Sequence, residues 1–144
     1  MAQPFSIRTT IRFADCDASG TVSHPHYFTM AEALIEDWFA QSLGRPFGEL
    51  MGNRKIALAT VHLTADIERQ SRFGESLTWT LAVQEIGRAT IRLKLAAAAE
   101  AAERLTIQQV LMTVELGTGK SVPLPADLRV KVANYQTANP AKKP

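Results

Sequence analysis

Phe13-Ala14-Asp15-Cys16-Asp17-Ala18-Ser19-Gly20-Thr21-Val22-Ser23-His24-Pro25-His26-Tyr27-Phe28 is the stretch on which the reading of this chain turns. It sets two carboxylates, Asp15 and Asp17, on a turn that closes at Gly20. It then runs through His24-Pro25 into a helix start. An ionised carboxylate facing a helix N-terminus is a workable reaction centre. The carboxylate attacks or activates water, and the amides at the positive end of the helix dipole polarise a carbonyl.

Upstream, Phe5 to Phe13 alternates. Phe5, Ile7, Thr9, Ile11 and Phe13 fall on one side and Ser6, Arg8, Thr10 and Arg12 on the other, the pattern of a half-buried strand. Downstream, the period changes at Pro25. Tyr27, Met30, Ala31, Leu34, Ile35, Trp38, Phe39 and Leu43 recur at three- and four-residue spacing, which predicts one long amphipathic helix. Pro25 suits the first helical position and Gly44 the stop. Arg45 to Arg54 reads as a connector.

Four strand-like runs follow: Ile56 to Ile67, Leu77 to Val83, Ala89 to Leu95 and Val110 to Leu116, with turn signals at Gly74, Gly87 and Gly117-Thr118-Gly119. Ala96 to Arg104 favours helix by composition but stands between strands, so it reads as a frayed hairpin tip. Pro125-Ala126-Asp127-Leu128 opens at most a short closing turn. Strand, helix, then four antiparallel strands is an α+β order. The strands read as apolar on both faces, with Ile56, Leu58 and Leu111 as examples, and one helix covers one face, so self-association is expected.

Composition narrows the classes. The 144 residues form one domain by default, placed at 1–135 with a flexible tail at 136–144 that holds Lys142-Lys143. A formal charge of +2 without a basic block speaks against nucleic acid. The single cysteine, Cys16, excludes an intramolecular disulfide and supplies no metal-ligand spacing. Neighbouring carboxylates disfavour its thiolate, so it reads as a small filler. His24 and His26 lack the i, i+4 spacing of a helical metal pair, and no metal or other cofactor is expected. With no basic-then-apolar leader at Met1-Ala2-Gln3-Pro4 and no apolar run long enough to span a bilayer, the expectation is a cytoplasmic protein without a membrane partner.

The block Phe13, Asp15, Asp17, Gly20, Val22, Pro25 and Tyr27 resembles the active-site segment of the 4-hydroxybenzoyl-CoA thioesterase family, F-x-D-x-D-x-x-G-x-V followed by a polar stretch, x-P-x-Y and a long helix. The resemblance implies a hotdog fold, a five-stranded, mostly antiparallel sheet wrapped around one long helix, and assembly into dimers or tetramers. It implies hydrolysis of an acyl- or aroyl-CoA thioester without a cofactor. Asp17 is then the catalytic carboxylate, and the backbone amide of His24, at the helix start, hydrogen-bonds the thioester oxygen. Chemistry agrees. A thiolate leaves readily and a carboxylate is ionised at neutral pH, so one carboxylate and one polarising amide suffice.

The plain alternative for Asp17 is an Asx-turn with Ser19 or Gly20. Asp15 reads as a turn-holding residue. The candidate substrate-binding residues are Tyr27, Thr60, His62 and Arg88. Thr60 and His62 read as one polar strand face; the resemblance implies that this strand lines a partner's acyl pocket, and an edge-facing polar pair is the plain alternative. Arg88 stands in the turn where relatives hold CoA phosphates, although only one basic residue is present there. A hydratase or dehydratase of the same fold, and a non-catalytic acyl-thioester binder, are the alternatives. They are distinguished by double-bond absorbance change and by the absence of released thiol.

Overall fold

The computed structural model describes residues 3–141. The leader reading at Met1-Ala2 and the Lys142-Lys143 end of the tail lie outside them. Five strands, β1 Ser6–Thr10, β2 Ile56–Ile67, β3 Ser76–Ile86, β4 Thr90–Ala99 and β5 Ala102–Glu115, form one sheet in the order β1-β3-β4-β5-β2. Every pairing is antiparallel. Among the described residues, three α-helices accompany the sheet: α1 His24–Asp37, α2 Phe47–Gly52 and α3 Ala126–Ala138.

Register fixes what each face carries. Leu81 opposes Leu95, Leu95 opposes Ile107, and Ile107 opposes Ala65, so one apolar row crosses four strands. Residues directly opposite share a face. This inner face meets Tyr27, Ala31, Leu34 and Ile35 of α1 in a single core. The outer row one residue along reads Ala82, Lys94, Gln108, Thr64. The examples given for a second apolar face are therefore corrected, while the outer face at the β5–β2 end carries Ala57, Ala59, Val110, Met112 and Val114. Ile56, Leu58 and Leu111 all lie on the inner face, because Leu58 opposes Thr113 and Leu111 opposes Thr60. The sheet ends in two edges, the 5-residue strand β1 and the 12-residue strand β2, of which β2 offers the longer unpaired edge.

The single-helix expectation holds only in part. The amphipathic period after Pro25 does produce α1, and the chain then widens into a π-turn over Trp38–Ser42, closed by the Leu43 amide on the Trp38 carbonyl at 3.1 Å. Gly44 stops it with φ +67°. The helix begins one residue early, however. Ser23 is the N-cap, with His24 and Pro25 the first two helical residues. The connector contains α2. The closing turn is a 13-residue helix, in which Leu128, Val132 and Tyr135 supply the only buried positions. Only three of the thirteen positions are buried, and the apolar Val130 faces solvent, so the periodic signal is weak and packing against the core decides the helix. It runs into the stretch assigned to the tail: Gln136 Nε2 donates to the carbonyls of Val83 and Gln84.

The ambiguous Ala96–Arg104 segment is strand to within one residue of the turn. Ala99 opposes Ala102, and Glu100 and Ala101 turn the chain at φ +52° and +64°. Two central residues with positive φ define a type I′ hairpin, a turn usually marked by Asn-Gly. The ladder on both sides imposes it on Glu-Ala.

Candidate active site

The Asp15–Ser23 segment is a small hairpin. Cys16 bridges Val22, the Asp17 amide donates to Thr21 O at 3.0 Å, and the Gly20 amide closes on Asp17 O at 3.0 Å with Gly20 at φ +80°. A side chain at Gly20 would have to adopt that left-handed backbone. Asp17 stands exposed at the tip. Its Oδ1 accepts the Ser19 amide at 2.9 Å and the hydroxyl of Ser19, with Thr21 Oγ1 at 3.5 Å. The Asx-turn is thus formed, and it employs one carboxylate oxygen. Oδ2 has no hydrogen-bond partner among the described residues. The Ser19 hydroxyl and amide, followed by the Thr21 contacts, hold the Asp17 carboxyl below the usual carboxylate range. Hydrogen bonds to the ionised form favour it.

Below the tip, the Ser23 amide donates to Asp15 O at 2.9 Å, and His24 follows as the first helical residue. No bond to the His24 amide is present among the described residues, as expected in the first turn of a helix. It lies beyond the Asp15–Ser23 rung, roughly 7 Å along the ladder from the Asp17–Thr21 rung. Asp15 is a holding residue. Its Oδ2 accepts the Arg12 amide at 2.9 Å and its Oδ1 lies 3.4 Å from His26 Nδ1. Cys16 is half-buried, its Sγ 3.4 Å from Arg12 O. Burial, then Asp15, then Asp17, push its thiol up, which suppresses the nucleophilic thiolate.

The other candidates divide. Tyr27 is 0% exposed and its hydroxyl accepts the Ser71 amide at 3.1 Å. It braces the fold and presents no surface to a substrate. Thr60 and His62 do not share a face. A register shift between them places Thr60 opposite Leu111 on the inner side and His62 opposite Val110 on the outer. Only Thr60 joins a polar group. Its Oγ1 donates to Glu32 Oε1 at 3.2 Å, and the buried Gln109 amide donates to both at 2.8 Å. Glu32 was not singled out from the sequence; its place on the α1 period gives it only as a solvent-facing residue. Arg88 is exposed on the β3–β4 turn, whose carbonyls at Gly87 and Arg88 both accept Arg129 Nη2 at 2.9 Å. The 11 residues of β3, at roughly 3.3 Å each, separate this turn from the Asp17 end of the sheet.

Beside the hairpin, a cavity of about 220 Å³ opens between β1 and α1, lined by Ile7, Met30, Ala33 and Leu34 with Asp15 and His26 among its polar residues. Among the described residues, no three His, Cys, Asp or Glu side chains are grouped to hold a metal ion, and no helix is long and apolar enough to cross a membrane.

The profile of the thioesterase-like superfamily matches residues 11–132. The solved structures agree in fold. A 1,4-dihydroxy-2-naphthoyl-CoA thioesterase from Synechocystis superposes with a TM-score of 0.83 at 19% identity, over 92% of this chain and 97% of that one. A Staphylococcus aureus protein solved in complex with CoA gives 0.90 at 18% identity, over 98% and 89%. A gentisyl-coenzyme A thioesterase gives 0.80 at 20%, over 88% and 98%. A search of curated proteins finds no match. The fold is the hotdog fold, in the α+β class, and the chain belongs to the thioesterase-like superfamily. It is accordingly a thioester-hydrolysing enzyme.

Proposed function

We propose that the protein hydrolyses an acyl- or aroyl-CoA thioester to the carboxylic acid and free CoA, with Asp17 as nucleophile or general base. The observation that carries the reading is the Asp17 carboxylate itself: exposed, ionised, and fixed through Oδ1 alone at the tip of a hairpin that leads into the N-terminus of α1. As a nucleophile, Oδ2 adds to the thioester carbon, CoA thiolate departs, and water hydrolyses the resulting anhydride. As a base, the carboxylate takes a proton from water, which adds directly. In both routes negative charge grows on the thioester oxygen, and the unpaired His24 amide is suited to receive it. No step calls for a cofactor.

The reading also calls for a second copy of the chain. Arg88, the candidate phosphate contact, is too far from Asp17 within one chain to share a substrate with it. β2 is an unpaired edge in the middle of which Val61 is 50% exposed. Antiparallel pairing of two β2 edges about a two-fold axis would set the Arg88 end of one copy beside the Asp17 end of the other, with Thr60 near the join. We therefore read the enzyme as a cytoplasmic homodimer or tetramer with shared sites and no nucleic-acid or membrane partner.

Asp17→Asn preserves shape and removes the charge. Turnover, followed by release of free thiol from a panel of aryl, short and long acyl-CoA substrates, should fall about 100-fold or more, while substrate binding survives. Undiminished hydrolysis by the folded variant would sink the mechanism.

A further inference from the structure

We infer that Arg104 is a positioning residue for the Asp17 hairpin, acting through the strip of residues 70–75. The inference rests on the proposed role of Asp17. Arg104 lies near the start of β5, is 7% exposed, and its side chain makes no hydrogen bond to the hairpin among the described residues. Its guanidinium forks onto Glu75, with Nη1 to Oε1 at 3.1 Å and Nη2 to Oε2 at 2.8 Å. Nη1 also reaches Ser71 Oγ at 3.2 Å and Gln70 O at 3.3 Å. Its carbonyl accepts the amides of Glu68 and Arg69 at 2.9 and 3.2 Å. One side chain and its own peptide group thus hold both ends of the link between β2 and β3, at Glu68 to Ser71 and at Glu75.

That link is the template on which the hairpin is laid. Ser71 O accepts the Val22 amide at 3.0 Å, Gly20 O accepts the Phe73 amide at 2.9 Å, and Thr21 bridges Arg72. On the upstream side, the Ile11 amide donates to Glu75 O at 2.7 Å and the Gly74 amide to Ile11 O at 2.9 Å. Both ends of the reacting segment are therefore held by the strip. The Glu75 carboxylate that Arg104 grips also accepts the Arg72 amide at 2.7 Å, which sets the strip's own turn. A planar fork that bonds two carboxylate oxygens and two further acceptors fixes orientation in a way that a lysine ammonium does not. Loosening it shifts Asp17 relative to the His24 amide without altering either group.

Arg104→Lys keeps charge and stem and removes the fork. At a temperature where the variant is fully folded, kcat should fall about 10- to 100-fold with KM within about twofold, because only reaction geometry is disturbed. Amide hydrogen exchange at Val22 and Phe73 should quicken while that in β4 is unchanged. Tyr135→Phe is the control. It removes the Tyr135 hydroxyl that accepts the Phe5 amide and donates to Leu81 O, away from the strip, and should lower the melting temperature while leaving kcat intact. Should Arg104→Lys fail to fold, Glu75→Gln applies the same two readouts. Wild-type kcat in a folded variant of either kind, or unchanged exchange at Val22 and Phe73, overturns the inference. If the wild-type protein releases no thiol from any thioester, the functional reading fails, and the exchange arm still decides whether Arg104 orders the hairpin.

Discussion

The buried Tyr27 hydroxyl accepts the Ser71 amide at 3.1 Å, and this bond ties α1 to the strip beneath the Asp17 hairpin. Ser71 is 0% exposed, so its amide has no water to turn to. Tyr27→Phe leaves that donor without a partner at a cost of about 1 to 3 kcal/mol. Chemical denaturation should show the loss as a lower midpoint with an unchanged slope. A midpoint equal to wild type would mean that the bond contributes nothing.

The Asp17 carboxyl titrates below its ordinary range because Ser19 and Thr21 bond its ionised form. A depressed value means that activity depending on the carboxylate is complete at neutral pH and is lost only as pH falls below the ordinary carboxylate range. Ser19→Ala removes the hydroxyl, the leading cause, and should move the acid limb of kcat/KM to higher pH. An acid limb that Ser19→Ala does not shift would assign that limb to another group.

Glu75 and Asp127 are both held down to about 2, Glu75 foremost by Arg104 and Asp127 by Arg45 and then Arg54. A lowered folded-state value stabilises above the unfolded value, roughly 4 for these groups. That stabilisation is lost as pH drops toward 2. Wild type should therefore lose stability over roughly pH 4.5 to 2, and the double variant Glu75→Gln, Asp127→Asn should show a flatter loss there. Both carboxylates are about a third exposed, so salt should weaken the effect. Parallel acid curves for the two proteins would contradict the assignment.

Arg88→Ala should raise KM for acyl-CoA with little change in kcat, since a phosphate contact is shared by ground and transition states. The difference should shrink at high salt and disappear for a truncated thioester without the nucleotide. Equal damage to both substrates, or none to either, would identify Arg88 as an ordinary surface residue.

Val61 is 50% exposed at the register shift of the β2 edge. Val61→Arg places like charges across a two-fold edge pairing. Light scattering should show a shift toward the 15.8 kDa monomer, with thioesterase activity falling alongside. A fully active monomer would show that the site is complete within one chain.

Local patterns were enough to read several features from the sequence. The 3.6-residue period writes α1, the two-residue alternation writes the cores of β2 to β5, and the spacing from Asp15 to Gly20 writes the hairpin whose tip is Asp17. Each depends on neighbours within a few residues, whereas the choice of Asp17 over Asp15 rested on the family resemblance of the segment. Other features depended on partners distant in the chain. The Glu100-Ala101 turn has no turn residues of its own and is imposed by the ladder between Ala99 and Ala102. The 13 residues of α3 become helix because Leu128, Val132 and Tyr135 find the core. Tyr27 looked like a site residue and is buried beneath one. A one-residue register shift, invisible as alternation, parts Thr60 from His62 and brings Thr60 to Glu32. Arg104 gave no sign at all, because its partners stand about 30 residues away in sequence and only the antiparallel return of β5 brings the guanidinium to Glu75 and Ser71.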